Sequence, residues 1–462
     1  MRKILKLRAI MTKILIRFSM ATEILDKLTN FYFIGIGGVS MSGLAKLLIS
    51  LGKSVAGSDR IRSDYTDELE NCGVKVCIGE RESVADYDAV VYTDAVQADD
   101  WQLVEAKQSD KIIFSRGQLL YEIGRKFKKV IAVSGCHGKT TCTAMLAHIF
   151  YAAEKGFAAH IGGRDKRFSN GCFFGNFYLI TEACEYKKNF LFLKPDIAVI
   201  LNSEPDHLEC YGSAENLRSA YLQFSAQSAA TISLFGDMEV NGITFGIDVD
   251  SDFSARNLVE INGAYSFDVF EKNRNLGKIK LNVYGKHNVL NALAAIAVSR
   301  KLKIPFEAIR EGVASFTGVE RRFEELGCYK QTRVIADYAH HPNEIRATLR
   351  TARNLTYGRI FVIFQPHTYS RTKNLLKEFI EVLSETENLL IYRTFAAREY
   401  FDDAGSALTL SQNIKKSRYG DEAGDITDFI ETANSGDLIL FLGAGDIYEV
   451  AKNIIKNQTL YF

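Results

Sequence analysis

A phosphate-binding loop is the strongest chemical signal in the sequence. Residues 130–146, VIAVSGCHGKTTCTAML, run from an apolar strand into a helix through Gly135, Gly138 and Lys139. The spacing is shorter than the usual G-x-x-x-x-G-K-[ST] pattern, because Val133 stands where the first glycine is expected. Backbone N–H groups at a helix start bind phosphate oxygens, and the helix dipole favours an anion there. An ordinary glycine-rich turn with a surface lysine is the alternative, but strand, glycines, lysine and helix follow the order that the motif requires.

A magnesium site is the natural companion of such a loop. Lys139 would neutralise the β- and γ-phosphates, and the hydroxyl of Thr140 would be a ligand of Mg²⁺. Further oxygen ligands must come from elsewhere in the chain. Two apolar strands end in polar clusters that could supply them, namely Glu182 with Glu185, and Asn202 with Glu204, Asp206 and His207. Solvated carboxylates and a structural histidine are the simpler interpretation of each cluster taken alone, and either Glu182 or Glu185 could be the ligand.

A second glycine turn lies near the beginning of the chain. The stretch FIGIGGVSMSGLA resembles the dinucleotide fingerprint G-x-G-x-x-G, but Ser40 stands where the third glycine should be. Asp59 ends the next strand, where a dehydrogenase would hold a ribose. By itself the turn indicates only that a pyrophosphate could bind at Gly35, Gly37 and Gly38. Two separate phosphate-binding turns suggest two nucleotides, one that supplies energy for the reaction and one that is part of the substrate.

Strands and helices must alternate to position these turns. Apolar strands are separated by amphipathic helices in three runs, which open near residues 31, 130 and 330. This alternation predicts an α/β fold with mostly parallel sheets, and ligands then bind beyond the carboxyl ends of the strands.

Composition narrows the class of protein. Hydrophobic residues make up 47% and charged residues 24% of the 462 residues, and the net charge of +1 gives no general attraction to nucleic acid or to an anionic membrane. Eight cysteines without a C-x-x-C pair, in a chain that shows no export signal, favour reduced thiols in a cytoplasmic protein. Residues 1–19 are basic and interleaved with apolar residues. They could form a membrane-surface helix, but we favour the interpretation that the start codon is assigned too early.

The order of motifs along the chain resembles the Mur ligase family from about residue 30 to the end. The resemblance rests on FIGIGGVSMSGLA, GCHGKTT, EACEY, NSEPDHLECYG, GKHNVLNALAA, GVERRFE, DYAHHPNE, FQPHTYSRT and GAGD. It implies three domains, which are a Rossmann-like UDP-binding domain (30–124), a central ATP-binding domain of the phosphate-loop ATPase type with a mostly parallel sheet (125–326) and a Rossmann-like amino-acid-binding domain (327–462). Residues 1–29 would then be an extension of doubtful relevance. In the loop, Cys136 departs from the threonine that is usual in the family.

The resemblance implies an ATP- and Mg²⁺-dependent ligase of peptidoglycan precursor synthesis. It would join L-alanine to the lactyl carboxylate of UDP-N-acetylmuramate through an acyl phosphate. The alternative is a recycling ligase that attaches a whole tripeptide to the same UDP-sugar. A UDP-sugar sensor without activity and a dehydrogenase fit less well. We expect a monomer or weak homodimer that neither binds nucleic acid nor inserts into a membrane.

The family's functional residues can be placed on this sequence one by one. Those implied for ATP are Gly135, Cys136, His137, Gly138, Lys139, Thr140, Thr141, Asn288, Asn291, Arg322 and Asp337. Those implied for Mg²⁺ are Thr140, Glu182 and His207. Those implied for the UDP-sugar and the amino acid are Gly35, Gly37, Gly38, Ser58, Asp59, His340, His341, Arg371 and Arg398. The catalytic set would be Lys139, Glu182, His207 and Arg322.

Overall fold

The computed structural model describes residues 24–79, 82–205, 208–355, 358–397 and 399–459. These residues form two compact units. The first contains the chain up to Phe245 and Ala294–Gly312, and the second contains Gly246–Leu293 and the chain from Val313 onward. Residues 1–19, which we expect to be dispensable, lie outside the described residues.

The first unit begins with a sheet whose strands all run parallel. The strands are β1 (Asn30–Ile34), β2 (Ser54–Asp59), β3 (Lys75–Ile78), β4 (Ala89–Tyr92) and β5 (Ile112–Ser115), and the helices are α1 (Ile24–Lys27), α2 (Val39–Ser50), α3 (Asp64–Asn71), α4 (Trp101–Gln108) and α5 (Arg116–Gly124). Their order in the sheet is β3-β2-β1-β4-β5. Ile34 of β1 is paired with Ser58 of β2 and with Tyr92 of β4, so the carboxyl ends of these three strands meet at one edge. The first glycine turn leaves the sheet at this edge.

The phosphate loop belongs to the second sheet of the same unit. Its strands are β6 (Lys129–Ser134), β7 (Phe157–Asp165), β8 (Ser169–Phe173), β9 (Tyr178–Glu182), β10 (Ile197–Ile200), β11 (Ala230–Leu234) and β12 (Ile243–Ile247), and its helices are α6 (Lys139–Ala152), α7 (Leu208–Tyr211), α8 (Ala214–Ala226) and a 3₁₀ segment (Tyr186–Phe192). Among these seven strands the order is β12-β11-β10-β6-β9-β7-β8, with only β8 antiparallel to its neighbour. Helix α6 is buried on all sides from Thr140 to Phe150, which fixes the loop that precedes it against the core.

The second unit combines an antiparallel meander with a parallel sheet. The meander strands are β13 (Phe253–Ile261), β14 (Ala264–Glu271) and β15 (Arg274–Tyr284), followed by α9 (His287–Lys301) and α10 (Phe306–Ser315), both of which cross the division between the units. The sheet strands are β16 (Glu324–Tyr329), β17 (Thr332–Asp337), β18 (Ile360–Phe364), β19 (Asn388–Tyr392), β20 (Ser417–Gly420) and β21 (Leu438–Leu442). The helices are α11 (Pro342–Arg353), α12 (Tyr369–Asn374), α13 (Leu376–Ser384), α14 (Ala407–Gln412), α15 (Ala423–Ile430) and α16 (Ile447–Thr459), with a 3₁₀ turn at Asp403–Gly405. The order is β16-β17-β21-β18-β19-β20, and only β16 is antiparallel.

All eight cysteines lie in the described ranges, and none of them forms a disulfide. Within the same ranges, no helix combines the length and the apolar character that crossing a membrane requires.

Candidate active site

The phosphate loop follows β6 and has a backbone that favours glycine at two positions. Gly135 and Gly138 adopt φ angles of 139° and 85°. A Cβ on Gly135 would lie 3.1 Å from the backbone nitrogen of Asn202, so that position also needs the smallest residue. The Asn202 side chain accepts a hydrogen bond from the N–H of His137 at 2.9 Å and donates one to its carbonyl oxygen at 3.1 Å. The end of β10 therefore holds the loop in one conformation.

Both helices that follow the glycine turns begin without a side-chain cap. Gly38 precedes α2 and Gly138 precedes α6, and neither residue has a side chain to accept hydrogen bonds from the first N–H groups. Thr140 and Thr141 follow in the first turn of α6 and are buried. Uncapped N–H groups at a helix start attract anions, so both turns have the geometry expected of a phosphate site.

Lys139 is the cation of the phosphate loop, and it is paired with an internal carboxylate. Its Nζ lies 2.9 Å from Oε1 of the buried Glu185 and also donates to the carbonyl oxygens of Gly135 and Cys136. Burial is the largest single effect and disfavours the charged lysine, but the Glu185 carboxylate and the neighbouring Cys184 and Cys136 together outweigh it, and the pKa of Lys139 is raised above its ordinary value. The side chain therefore stays protonated at neutral pH, and any anion that enters the loop competes with Glu185.

The two glutamates after β9 differ in their partners. Glu185 pairs with Lys139, whereas Oε1 of Glu182 accepts a hydrogen bond from the N–H of Gly162 on β7 at 2.5 Å. A Cβ on Gly162 would lie 2.5 Å from the Glu182 carboxylate, so the carboxylate can occupy this place only beside a glycine. This arrangement favours Glu182 over Glu185 as a metal ligand. The described residues contain no group of three or more His, Cys, Asp or Glu side chains that could hold a metal, and His207, the third predicted ligand, lies outside them.

Cys136 lies beside the imidazole of His137, which in turn lies beside the carboxylate of Glu204. Its Sγ is 3.3 Å from Nε2 of His137, and the same nitrogen is 3.4 Å from Oε2 of Glu204. Cys136 is partly exposed, in contrast to the buried Cys142 on α6, whose pKa burial raises. Cys136 is therefore the more accessible of the two thiols nearest to Lys139 in the sequence.

The first glycine turn rests on the end of β2. The N–H of Gly35 donates to the carbonyl oxygen of Ser58 at 2.8 Å, and the N–H of Gly37 donates to Oδ2 of Asp59 at 2.8 Å. A Cβ on Gly37 would lie 2.9 Å from the same Asp59 oxygen. The Ser58 hydroxyl donates to Oε1 of the buried Gln102 at 2.9 Å. Ser58 thus supports the turn through its carbonyl oxygen, while its hydroxyl is used inside the core.

In the second unit, two predicted ATP residues lie next to each other on α9. Asn288 and Asn291 are both buried, and Nδ2 of Asn291 donates to Oδ1 of Asn288 at 2.9 Å. Nδ2 of Asn288 donates to the carbonyl oxygen of Tyr284 at 2.7 Å. These bonds fix the orientation of both amides relative to the end of β15.

Arg322 and Asp337 lie around a shared carboxylate, Glu344. The guanidinium of Arg322 lies 4.9 Å from the centre of the Tyr338 ring, and its Nη1 is 3.9 Å from Oε1 of Glu344. Asp337 ends β17, where its carboxylate accepts a backbone N–H at 2.9 Å and the hydroxyl of Thr348 at 3.1 Å. Burial raises the pKa of Asp337 to about 6, with Arg322 opposing the rise and Glu344 adding to it. A fraction of this carboxyl is therefore protonated near neutral pH.

The predicted substrate residues of the second unit continue from Glu344. Its Oε2 accepts the N–H groups of His340 at 3.0 Å and His341 at 3.2 Å. The ring of His340 lies 5.7 Å from that of His367, whose Nδ1 is 3.3 Å from Nη1 of Arg371. The structure thus brings His340, His341 and Arg371 together at the carboxyl ends of β17 and β18, where the sequence predicts a ligand site.

Glu344 and Gly162 are two residues of these sites that were not singled out by the sequence. Glu344 follows His341 by three positions and forms a capping box with it, so the HPNE pattern could have indicated it. Gly162 lies on β7, where FAAHIGGRD is an apolar strand without a motif, and only the double glycine indicates a close approach. Arg398, in contrast, was predicted but lies outside the described residues.

The phosphate loop leads into the uncapped start of α6, and Lys139 is the first residue of that helix. These features define a phosphate-loop protein of the α/β class. Three family models match it: "Mur ligase family, catalytic domain" over residues 30–128, "Mur ligase middle domain" over residues 133–299 and "Mur ligase, glutamate ligase domain" over residues 321–445. The chain belongs to the Mur ligase family. The predicted three-domain α/β architecture and the resemblance to this family are confirmed.

The chain is similar to curated and solved proteins over nearly its whole length. It is 39% identical to the UDP-N-acetylmuramate–L-alanine ligase of Acetivibrio thermocellus, over 94% of this chain and 97% of the relative. It is 38% identical to the protein of the same name from Caldanaerobacter subterraneus, over 94% and 99%. A solved UDP-N-acetylmuramate-alanine ligase from Thermotoga maritima matches with a TM-score of 0.81 and 28% identity, over 94% of this chain and all of that one. A murein peptide ligase from Psychrobacter arcticus has the same fold, with a TM-score of 0.72 and 23% identity.

Proposed function

We propose that this protein is an ATP-dependent ligase that joins L-alanine to the lactyl carboxylate of UDP-N-acetylmuramate in peptidoglycan precursor synthesis. The proposal rests on relatives named UDP-N-acetylmuramate–L-alanine ligase, which are 37–39% identical to the chain over more than nine-tenths of its length. The phosphate loop with Lys139 supports the use of a nucleotide. The recycling ligase that transfers a tripeptide is the weaker candidate, because the solved murein peptide ligase matches with the lower TM-score.

The chemistry explains why a ligase of this kind needs a phosphate loop. An amine cannot displace oxide from a carboxylate at a useful rate. Transfer of the γ-phosphoryl group to the carboxylate forms an acyl phosphate and ADP, and the amine of L-alanine then attacks the acyl carbon and expels phosphate. We assign to Lys139 and Arg322 the stabilisation of negative charge during phosphoryl transfer, where preorganised cations contribute most.

The donor atoms in the first unit fit Mg²⁺ and the phosphates of ATP. Thr140 and Glu182 offer the oxygen ligands that Mg²⁺ prefers, and Gly162 leaves room for the Glu182 carboxylate beside β7. His207 is proposed as the third protein ligand. A bound Mg²⁺ supplies charge neutralisation on the phosphoryl oxygens. The cradle between Gly135 and Lys139 supplies N–H donors and the lysine charge.

The remaining residue roles are proposals of the same kind. We assign ATP binding to the loop 135–141 and, from the second unit, to Asn288, Asn291, Arg322 and Asp337. We assign the UDP part to the first glycine turn with Ser58 and Asp59, and the sugar acid and amino acid to His340, His341, Arg371 and Arg398. We also propose the domain limits 30–124, 125–326 and 327–462, a cytoplasmic location, and a monomer or weak homodimer.

The decisive experiment measures phosphate released from Mg-ATP in the presence of UDP-N-acetylmuramate and one amine at a time. The amines are L-alanine, glycine, L-serine and the tripeptide L-alanyl-γ-D-glutamyl-meso-diaminopimelate, and mass spectrometry identifies the product. We expect release that requires both the UDP-sugar and L-alanine, with the mass of the amide product.

Two results would contradict the proposal. Release that requires the tripeptide would identify the recycling ligase. Absence of release with every amine, in protein that still binds UDP-N-acetylmuramate in a calorimeter, would identify a binding protein. Omitting UDP-N-acetylmuramate is the control, because a simple ATPase would release phosphate without it.

A further inference from the structure

His160 is a buried histidine whose two ring nitrogens contact two different elements. One nitrogen contacts helix α2, and the other contacts strand β9. It lies on β7 in the second sheet and is 2% exposed. Its Nε2 is 3.1 Å from both the hydroxyl and the carbonyl oxygen of Ser40, in the first turn of α2. Its Nδ1 is 3.1 Å from the hydroxyl of Thr181, on β9. No step of the reaction above uses this side chain.

The protonation state of His160 determines which partner donates in each of these hydrogen bonds. Burial lowers the pKa of His160 to about 4, although the bond to the Ser40 backbone works against this, so the ring is neutral at pH 7. A neutral ring carries one N–H, and the Ser40 carbonyl oxygen can only accept. Nε2 therefore donates to Ser40, and Nδ1 accepts from the hydroxyl of Thr181.

Each end of the chain lies next to a proposed binding residue. Ser40 follows the first glycine turn by two residues, and its hydroxyl also accepts a hydrogen bond from Nη1 of Arg116 at 3.3 Å. Thr181 directly precedes Glu182 in the chain. Because its single hydroxyl proton is donated to Nδ1 of His160, the link from His160 to Glu182 runs through the Thr181–Glu182 peptide bond. His160 thus connects the turn assigned to the UDP part with the strand end assigned to Mg²⁺.

The surroundings of the ring leave little room for it to move. A Cβ on Gly43 of α2 would lie 2.8 Å from Cδ2 of His160 and 3.0 Å from the carbonyl oxygen of Asn170. The buried Asn170 side chain in turn donates to the carbonyl oxygen of Val39 and to the hydroxyl of Ser42, both at 2.7 Å. Helix α2 is therefore packed closely against His160 of β7 and Asn170 of β8.

We propose that His160 is a positioning residue that couples the first glycine turn to Glu182, so that UDP-N-acetylmuramate and Mg-ATP strengthen each other's binding. The inference rests on the proposed function and deepens it, because it states how the two ligand sites of the first unit act together. A histidine that only fills the core would stabilise the fold without linking the two affinities. The two roles differ in the coupling, which is the ratio of dissociation constants for one ligand without and with the other.

The experiment measures the dissociation constant of UDP-N-acetylmuramate by calorimetry, with and without Mg²⁺ and a non-hydrolysable ATP analogue. The variants are His160→Phe, which removes the hydrogen bonds to Ser40 and to Thr181, and Thr181→Val, which keeps the shape of the side chain and removes only the bond to Thr181. Thr143→Val is the matched control, because this buried hydroxyl on α6 has no hydrogen-bond partner among the described residues. Thermal midpoints of all variants report on stability separately.

We expect a coupling of about fivefold or more in the unchanged protein and in Thr143→Val, within the range of ordinary allosteric coupling. In His160→Phe and Thr181→Val the ratio should fall close to one, and the Mg²⁺ concentration for half-maximal activity should rise. If His160→Phe fails to fold, Thr181→Val decides the question. Unchanged coupling in Thr181→Val, or no coupling in an active unchanged protein, overturns the inference. Absence of alanine-dependent phosphate release in the unchanged protein overturns the proposed function instead.

Discussion

At Lys139, one side chain carries the positive charge of the whole phosphate loop. We predict that Lys139→Ala lowers alanine-dependent phosphate release by about two orders of magnitude or more, the usual effect of removing one preorganised charge partner. Binding of UDP-N-acetylmuramate should be nearly unchanged, because that ligand is assigned to the turn at Gly35, on another sheet. Phosphate release and calorimetry measure the two effects.

A control is needed because Lys139→Ala also leaves Glu185 buried without its cation, which costs stability. The double variant Lys139→Ala/Glu185→Gln removes the unpaired buried carboxylate, so it should regain thermal stability without regaining turnover. If either variant kept a substantial part of the original turnover, the loop would not be the site where ATP reacts.

Cys136 gives the loop a second testable property. A thiol near a helix N-terminus and a lysine reacts faster as its thiolate fraction rises, and here Nε2 of His137 is 3.3 Å away. We predict that iodoacetamide inactivates the enzyme, that Mg-ATP slows the loss, and that UDP-N-acetylmuramate alone protects poorly. Cys136→Thr should keep activity and resist the reagent. Equal sensitivity of this variant and the unchanged protein would assign the reaction to another thiol.

Asp337 makes stability depend on pH. Its native pKa of about 6 lies above the value of about 3.9 for an unfolded chain, so the native state binds the proton more tightly. The free energy of unfolding therefore falls as pH rises between about 4 and 6, and this loss of stability is complete above that range. We predict that Asp337→Asn raises the free energy of unfolding by about 2–3 kcal/mol at pH 7.5.

The gain should be much smaller at pH 4.5, where most of the native Asp337 is already protonated. Urea unfolding of both proteins at the two pH values measures the difference. The amide can still accept the backbone N–H and bond to the hydroxyl of Thr348, so the substitution leaves the local geometry intact. A gain that is equal at both pH values would show that Asp337 is ionised throughout this range.

At the scale of elements, strand β7 positions the proposed metal ligand through a residue without a side chain. We predict that Gly162→Ala raises the Mg²⁺ concentration for half-maximal activity about tenfold, because partners of metal ligands have effects of that size. The new methyl group would occupy the place of the Glu182 carboxylate. Activity measured against Mg²⁺ concentration tests this.

Gly156→Ala is the control for that substitution. Gly156 directly precedes the same strand, and a Cβ there would meet its nearest neighbour at 3.8 Å, an ordinary contact. This variant should keep the original Mg²⁺ requirement. If Gly162→Ala behaved in the same way, the Glu182 carboxylate would not be held by β7 in the active protein.

Sequence and structure agree best where a turn must follow a strand. The phosphate loop and the first glycine turn were predictable because positive φ angles and close approaches require glycine, which leaves a local signature at Gly135 and Gly138. Strand β7 could not be interpreted in this way, because the hydrogen-bond partners of His160 are distant in the sequence. The same holds for the choice between Glu182 and Glu185, which depends on the contact with Lys139 and on the register of β7 beside β9.

At the scale of the whole molecule, the family match begins at residue 30, whereas the chain carries a basic segment before it. We predict that deleting residues 1–19 changes neither the turnover nor the thermal midpoint of the enzyme. Turnover, calorimetric melting and sedimentation with anionic vesicles compare the two proteins. A clear loss of activity, or of vesicle binding, would show that the segment has a function.

The ion pair between Lys139 and Glu185 also bears on inhibition by the reaction's own product. Inorganic phosphate offers the lysine little more than the internal carboxylate already does, and displacing Glu185 would leave that carboxylate buried without a cation. A triphosphate that enters with its metal ion brings positive charge as well as negative charge. Lys139 then gains an anionic partner, and the metal ion compensates Glu185 for the loss of Lys139. We therefore expect the resting loop to bind small single anions weakly, so that the phosphate released in each turnover leaves without slowing the next one.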